Sequence, residues 1–254
     1  MATDQVGFGV GVRPSGKAKA SGVSWFLNQY FYFCMSLLVA VVAVYGFSHT
    51  VDHNLFHATP PRPWILWVHG AVFSGWVALF IFQSALVRAG NVKLHRLTGW
   101  FGAGLGVLIP ILGISTAIIM ARFFVLHFGA RAAGAIPFIS IQAMDITCFT
   151  IAFWLGIYWR RKPEFHRRLV LVATCALTSA AFARFPFLSV QWAYVGVDGL
   201  ICLGIVRDLI VNRRIHVVYR YALPAMIVAQ IVAVNLWLRH PAWWVNLANR
   251  LIMG

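Results

Sequence analysis

Three histidines stand at, or just inside, the ends of long apolar segments. His69 lies in Trp64-Ile-Leu-Trp-Val-His69-Gly70, His95 in Lys93-Leu-His95-Arg96-Leu97, and His166 in Glu164-Phe-His166-Arg167-Arg168-Leu169. Ionisable groups are costly near hydrocarbon, so those that persist there point to function. Histidine is also the commonest metal ligand and a common axial ligand of heme iron. His95 and His166 open two apolar runs that enter from the same side, at equivalent depth. Two such imidazoles can face each other across a gap and hold one heme b iron from both sides. Gly99, Gly102, Gly104 and Gly106 follow His95 and would leave room for a macrocycle. Arg96, Arg167 and Arg168 suit its propionates. The competing reading is plainer: the arginines set topology, and a histidine beside them binds lipid phosphate.

A second constellation gathers on the other side. His49, His53 and His57 are four apart, which stacks them on one face if the first span continues as helix. Asp52 lies beside them, and His69 begins the next span on the same side. With Asp145, the set His49, His53 and His69 offers N and O donors for a transition metal ion such as zinc, copper or iron. A polar, exposed helix end accounts for residues 49–57 without any metal.

The elements that position these groups follow from composition. The chain has 254 residues, 61% of them hydrophobic and 11% charged, with mean hydropathy +0.78. A soluble domain would carry about 25% charged residues. Apolar runs of helix-spanning length recur, too long and continuous for alternating barrel strands. The fold class is therefore all-α, a polytopic transmembrane helix bundle of about seven spans. They cover residues 25–48, 64–86, 97–119 (continuing toward 126), 135–159, 169–187, 190–211 and 221–238. With the N-terminus inside, 15 of the 21 Lys and Arg residues fall on the inner side. Arg62, Arg122, Arg131, Arg184, Arg239 and Arg250 remain, which gives N-in, C-out by the positive-inside rule. Residues 1–22 read as a flexible cytoplasmic tail with no cleavable leader, 23–238 as the bundle, and 239–254 as an outer-face interfacial tail anchored by Trp243 and Trp244. The net charge of +15 does not indicate nucleic acid, because the basic residues interrupt apolar spans and form no soluble basic face. Cys34, Cys148, Cys175 and Cys202 lie inside spans without zinc spacing and read as small buried hydrophobes.

Two carboxylates fall deep within spans and must be protonated or paired. Arg184 is the natural partner for Asp198 across the turn at Pro186, and His69 or His127 for Asp145. Arg207 and Asp208 read as interfacial. Pro110 and Pro224 predict kinks.

The pattern His95-Arg96-x-x-Gly99, followed by His166-Arg167-Arg168-Leu169 and Ala176-Leu-Thr-Ser-Ala-Ala181, resembles a broad group of uncharacterised bacterial multi-span membrane proteins. Val68-His69-Gly70, Gly75-Trp76, Arg207-Asp208 and Arg214-Ile-His216 fit it as well. The likeness covers the chain from about residue 60 onward and implies a bacterial inner, cytoplasmic membrane location. More distantly, the arrangement is similar to the four-helix core of diheme cytochromes b. On that resemblance His69, His95 and His166 fill the first, second and fourth ligand positions. The third has no histidine and offers Gln142, Met144 and Asp145, so one inner heme is what the resemblance implies. The functional expectation is electron transfer with a quinone or a membrane redox partner. The alternatives are a non-heme metal enzyme on the outer face and a non-catalytic accessory subunit.

Overall fold

The computed structural model describes residues 22–132 and 134–254. The expected tail 1–22, with Arg13, Lys17 and Lys19, lies outside the described residues but for Gly22. Among the described residues nine α-helices follow in order: α1 Gly22–Ser48, α2 Ile65–Arg88, α3 Val92–Phe128, α4 Ala135–Tyr158, α5 Pro163–Ala176, α6 Ser179–Phe182, α7 Ala193–Asn212, α8 Val217–Arg239 and α9 Ala242–Met253. No strand occurs among the described residues.

Among the described residues five helices, α1, α2, α3, α4 and α8, are long and apolar enough to cross a membrane. Their outward faces carry large apolar side chains with no protein cover, among them Val44, Ile111, Ile151 and Val228. A soluble protein does not expose so much apolar surface, and lipid contact accounts for it. The two remaining expected spans differ from the reading above for local reasons. Residues 163–182 form a broken helix, with α5 ending at Ala176 and α6 resuming at Ser179. At the break Thr178 Oγ1 donates to the Cys175 carbonyl at 2.6 Å, a side-chain bond that competes with helix propagation. α7 is long enough, but it carries Asp198, Arg207 and Asp208 in an otherwise apolar run.

Side-chain contacts fix the up-and-down arrangement. One end, here the basic end, gathers the starts of α1, α3, α5 and α8 with the finishes of α2, α4 and α7. Arg88 donates to Tyr30, Gln83 to Thr98, His166 to Gly156, and Arg168 to Asp208, while Phe165 meets His216. The opposite end joins Tyr45 to Phe185 and Phe138 to Trp237.

The core of the α2–α5 group is aromatic. Trp76 packs edge-on to Phe149 and Phe153, which stack on each other at 5.5 Å. Trp76 Nε1–H donates to Thr174 Oγ1 at 3.3 Å, so its one polar atom is satisfied. Gly106 is required here, because a Cβ would meet the Phe153 ring at 2.1 Å. α3 has 37 residues and runs about 55 Å. That exceeds the hydrocarbon thickness of about 30 Å. Its far end packs with α4 and α9 through Ala117, Ala121, Ile139, Ala248 and Ile252. α9 is thus a docked amphipathic helix: Trp244 donates to the Pro137 carbonyl at 3.2 Å while Trp243 stays exposed. Pro110 and Pro224 lie inside α3 and α8, which continue through them.

Candidate functional site

The basic end brings His95 and His166 together. Their ring centres are 6.3 Å apart with planes at 75°. Two imidazoles on opposite sides of one ion have ring centres about 6 Å apart, given metal–nitrogen bonds of about 2 Å. Both rings are half-buried. His166 Nδ1 lies 2.9 Å from the Gly156 carbonyl. A carbonyl only accepts, so Nδ1 carries the proton and Nε2 keeps the lone pair that a metal requires. His95 lies against the Gln83 backbone, and its Nδ1 is buried without a hydrogen-bond partner. Gln83 Oε1 is likewise buried and unpaired, while Gln83 Nε2 donates to Thr98 Oγ1 at 2.8 Å. Buried polar atoms are nearly always satisfied, so these two stand out beside the imidazole pair. α2, α3, α4 and α5 each contribute to this site.

The surroundings revise the expected glycine cradle. Gly99 lies on the His95 face one turn on, about 6 Å along the helix, with no atom within 4 Å of where a Cβ would sit. Gly102 and Gly106 are already filled, by Leu79 and by the Phe153 ring. Gly104 lines a groove with Phe101, Leu105, Val107 and Leu108, away from the pair. Of these glycines, Gly99 is the one on the His95 face with open space beside it.

The arginines divide. Arg96 is exposed. Arg167 donates to Glu164 at 2.6 Å and keeps its Nε buried and unpaired. Arg168 is fully committed and is not free for propionates. Its Nε donates to Asp208 at 2.8 Å, its Nη2 to the other Asp208 oxygen, and its Nη1 to Glu164 at 2.7 Å. Glu164 sits outside the spans. Partial burial works to raise its pKa, but the Arg168 and Arg167 guanidiniums hold the carboxyl below its ordinary range.

The outer donors do not converge. α1 ends at Ser48, and residues 52–56 wind as a π-helical turn. Its wider bond, His57 N–H to the Asp52 carbonyl, breaks the four-residue stacking expected of His49, His53 and His57. His57 instead pairs with Asp52 at 2.7 Å, and His49 Nδ1 turns back to the Tyr45 carbonyl. His69 stacks on Phe73 at 4.0 Å, with its Nδ1 buried and unpaired. Among the described residues no three His, Cys, Asp or Glu side chains gather as an ion's ligands. A bare zinc or copper ion wants three or four protein donors. A group that brings its own ring nitrogens, as heme does, would fit a two-histidine site better than a bare ion.

The deep carboxylates have other partners than expected. Asp145 accepts from Ser179 Oγ and from Tyr194 Oη at 2.9 Å, not from His69 or His127. The α5–α6 break is what lets Ser179 reach α4. Asp198 faces α8 and accepts from Gln230 at 3.0 Å. Arg184 turns to α1 and donates to Thr50 at 3.1 Å, so the expected Arg184–Asp198 pair is absent. Arg207 and Asp208 are buried at 1% and 0% exposure, not interfacial. Sequence reading missed this network, although two adjacent charges five residues inside a helix end had to be paired. It also missed Gln83, the one amide in an apolar α2. Comparison with protein-family models, with curated proteins and with solved structures finds no match.

Proposed function

We propose that the protein is a bacterial inner-membrane protein, of the bacterial multi-span group that its HRxxG and HRRL motifs resemble. It holds one heme b between His95 and His166 and exchanges electrons with a quinone or a membrane redox partner. The spacing of the two imidazoles, 6.3 Å with no hydrogen bond between them, carries the reading. Bound heme supplies one-electron chemistry. The chain's own part is positional. Gly156 fixes the His166 tautomer through its carbonyl, and the Gln83 backbone orients His95. Gly99 leaves the clearance. Arg96 and Arg167 supply positive charge at the rim. In this reading α3 and α5 start from the cytoplasm, and the count of spans reaches seven with the broken α5–α6 and α7 included.

The test is an absorption spectrum of the detergent-purified full chain. A Soret band with a reducible low-spin α band is expected. Gly99→Phe should remove that signal while leaving helical content unchanged. A colourless wild-type protein with full helical content, purified after expression with added hemin, would overturn the proposal.

A further inference from the structure

We propose that the groove between α1 and α7 binds one anionic phospholipid, with an acyl chain along the groove and the phosphate at Arg207. The groove encloses about 310 Å³ between Leu27, Phe31 and Met35 of α1 and Leu203, Val206 and Arg207 of α7. Its walls are apolar, and Arg207 is the one charged residue lining it.

The occupant follows from charge. Arg207 Nη1 donates to Asp208 at 3.0 Å and Nη2 to Asn28 at 2.8 Å, but Nε is buried with no partner. Asp208 cannot neutralise it alone, because the same carboxylate takes both Arg168 bonds and one from Asn212. Three guanidiniums, Arg167, Arg168 and Arg207, face two carboxylates, Glu164 and Asp208. Among the described residues, one positive charge is left over in a mostly buried cluster. Tyr32 Oη is a second unpaired buried donor, and its ring lies 5.1 Å from the Arg167 and 5.8 Å from the Arg207 guanidinium carbon. Free donors with surplus positive charge call for an anion, and the apolar trough calls for a hydrocarbon chain. An anionic phospholipid carries both in one molecule, and the bilayer supplies it. A neutral quinone would satisfy the trough but not the charge. Exposed Arg213 and Arg214 at the end of α7 extend the basic surface at headgroup level.

Native mass spectrometry of the delipidated full chain, titrated with phosphatidylglycerol or phosphatidylcholine of identical chains, tests this. One phosphatidylglycerol should bind at least about fivefold more tightly than phosphatidylcholine, the preference one interfacial cation confers. Leu203→Trp fills the trough from a lipid-exposed position and should abolish that preference without lowering the unfolding temperature of the lipid-free protein. Arg207→Lys, which keeps charge but lacks Nε–H, should weaken it. Equal binding of the two lipids, phosphatidylglycerol binding untouched by Leu203→Trp, or full competition by inorganic phosphate or by a neutral quinone would overturn the proposal.

Discussion

Replacing Asp208 by Asn tests the buried charge network that ties α5 to α7. The Arg168 and Asp208 side chains are both 0% exposed. Asp208 accepts from Arg168 Nε at 2.8 Å and from Arg168 Nη2, from Arg207 Nη1 at 3.0 Å and from Asn212 at 3.0 Å. Asparagine keeps the size and one acceptor but removes the charge. Arg168 then keeps only Glu164, which is half-exposed, and Arg207 is left with no carboxylate partner. Removing one partner of a buried pair costs about 3–5 kcal/mol, because the other charge is stranded. By contrast, Glu164→Gln alters a solvent-screened carboxylate and should cost no more than about 1 kcal/mol. Equilibrium unfolding in mixed micelles, followed by circular dichroism, measures both. If stranded charge is the cause, the double change Arg168→Met with Asp208→Leu should recover the part of the loss that Arg168 accounts for, Arg207 staying without its carboxylate. Asp208→Asn within about 1 kcal/mol of Glu164→Gln, or a double variant no better than the single one, would refute the reasoning.

Other consequences are as direct. Gly46→Ala places a Cβ 2.3 Å from the Ala181 carbonyl oxygen, a backbone atom that cannot give way; α1 and α6 must separate, and thermal unfolding should report a loss of at least about 1–3 kcal/mol. Gly104→Ala meets nothing within 4 Å and should be neutral or stabilising by up to about 1 kcal/mol in the same assay. His216 caps α8, its Nδ1 accepting from Val218 N–H at 3.2 Å, and burial followed by the Arg168 charge lowers its pKa. Its stabilising effect is therefore present above the unfolded value of about 6.5 and is lost as pH falls through the lower folded value. A melting series across that window should show about 1 kcal/mol of cap energy disappearing, and His216→Asn should flatten it. Acid should likewise release Glu164, whose contribution holds above about pH 4.3 and fades as pH falls through its depressed folded value.

What could be read from sequence was what depends on local composition. Helix-length apolar runs and clustered Arg residues set the bundle and its two ends, because lipid permits so few alternatives. The meeting of His95 and His166 was legible from equal depth on two runs of the same direction. The π-turn at 52–56 was not, since one extra residue per turn leaves no pattern in so short a segment. The α5–α6 break also escaped notice. Ala176-Leu-Thr-Ser-Ala-Ala181 reads as helix, and the interruption depends on Thr178 and Ser179 finding carbonyl and carboxylate acceptors. Partner choice for Asp198 and Arg184 turned on which neighbouring helix each faces, a rotational detail that hydropathy does not carry.

The central claim is that one heme sits between the two basic-end imidazoles. Its most direct test is the heme-to-protein ratio of wild type, His95→Ala, His166→Ala and His69→Ala, purified side by side. The account predicts about one heme per chain in wild type and in His69→Ala, and none in His95→Ala or His166→Ala. Full heme retention in His95→Ala and His166→Ala, or its loss only in His69→Ala, would contradict it.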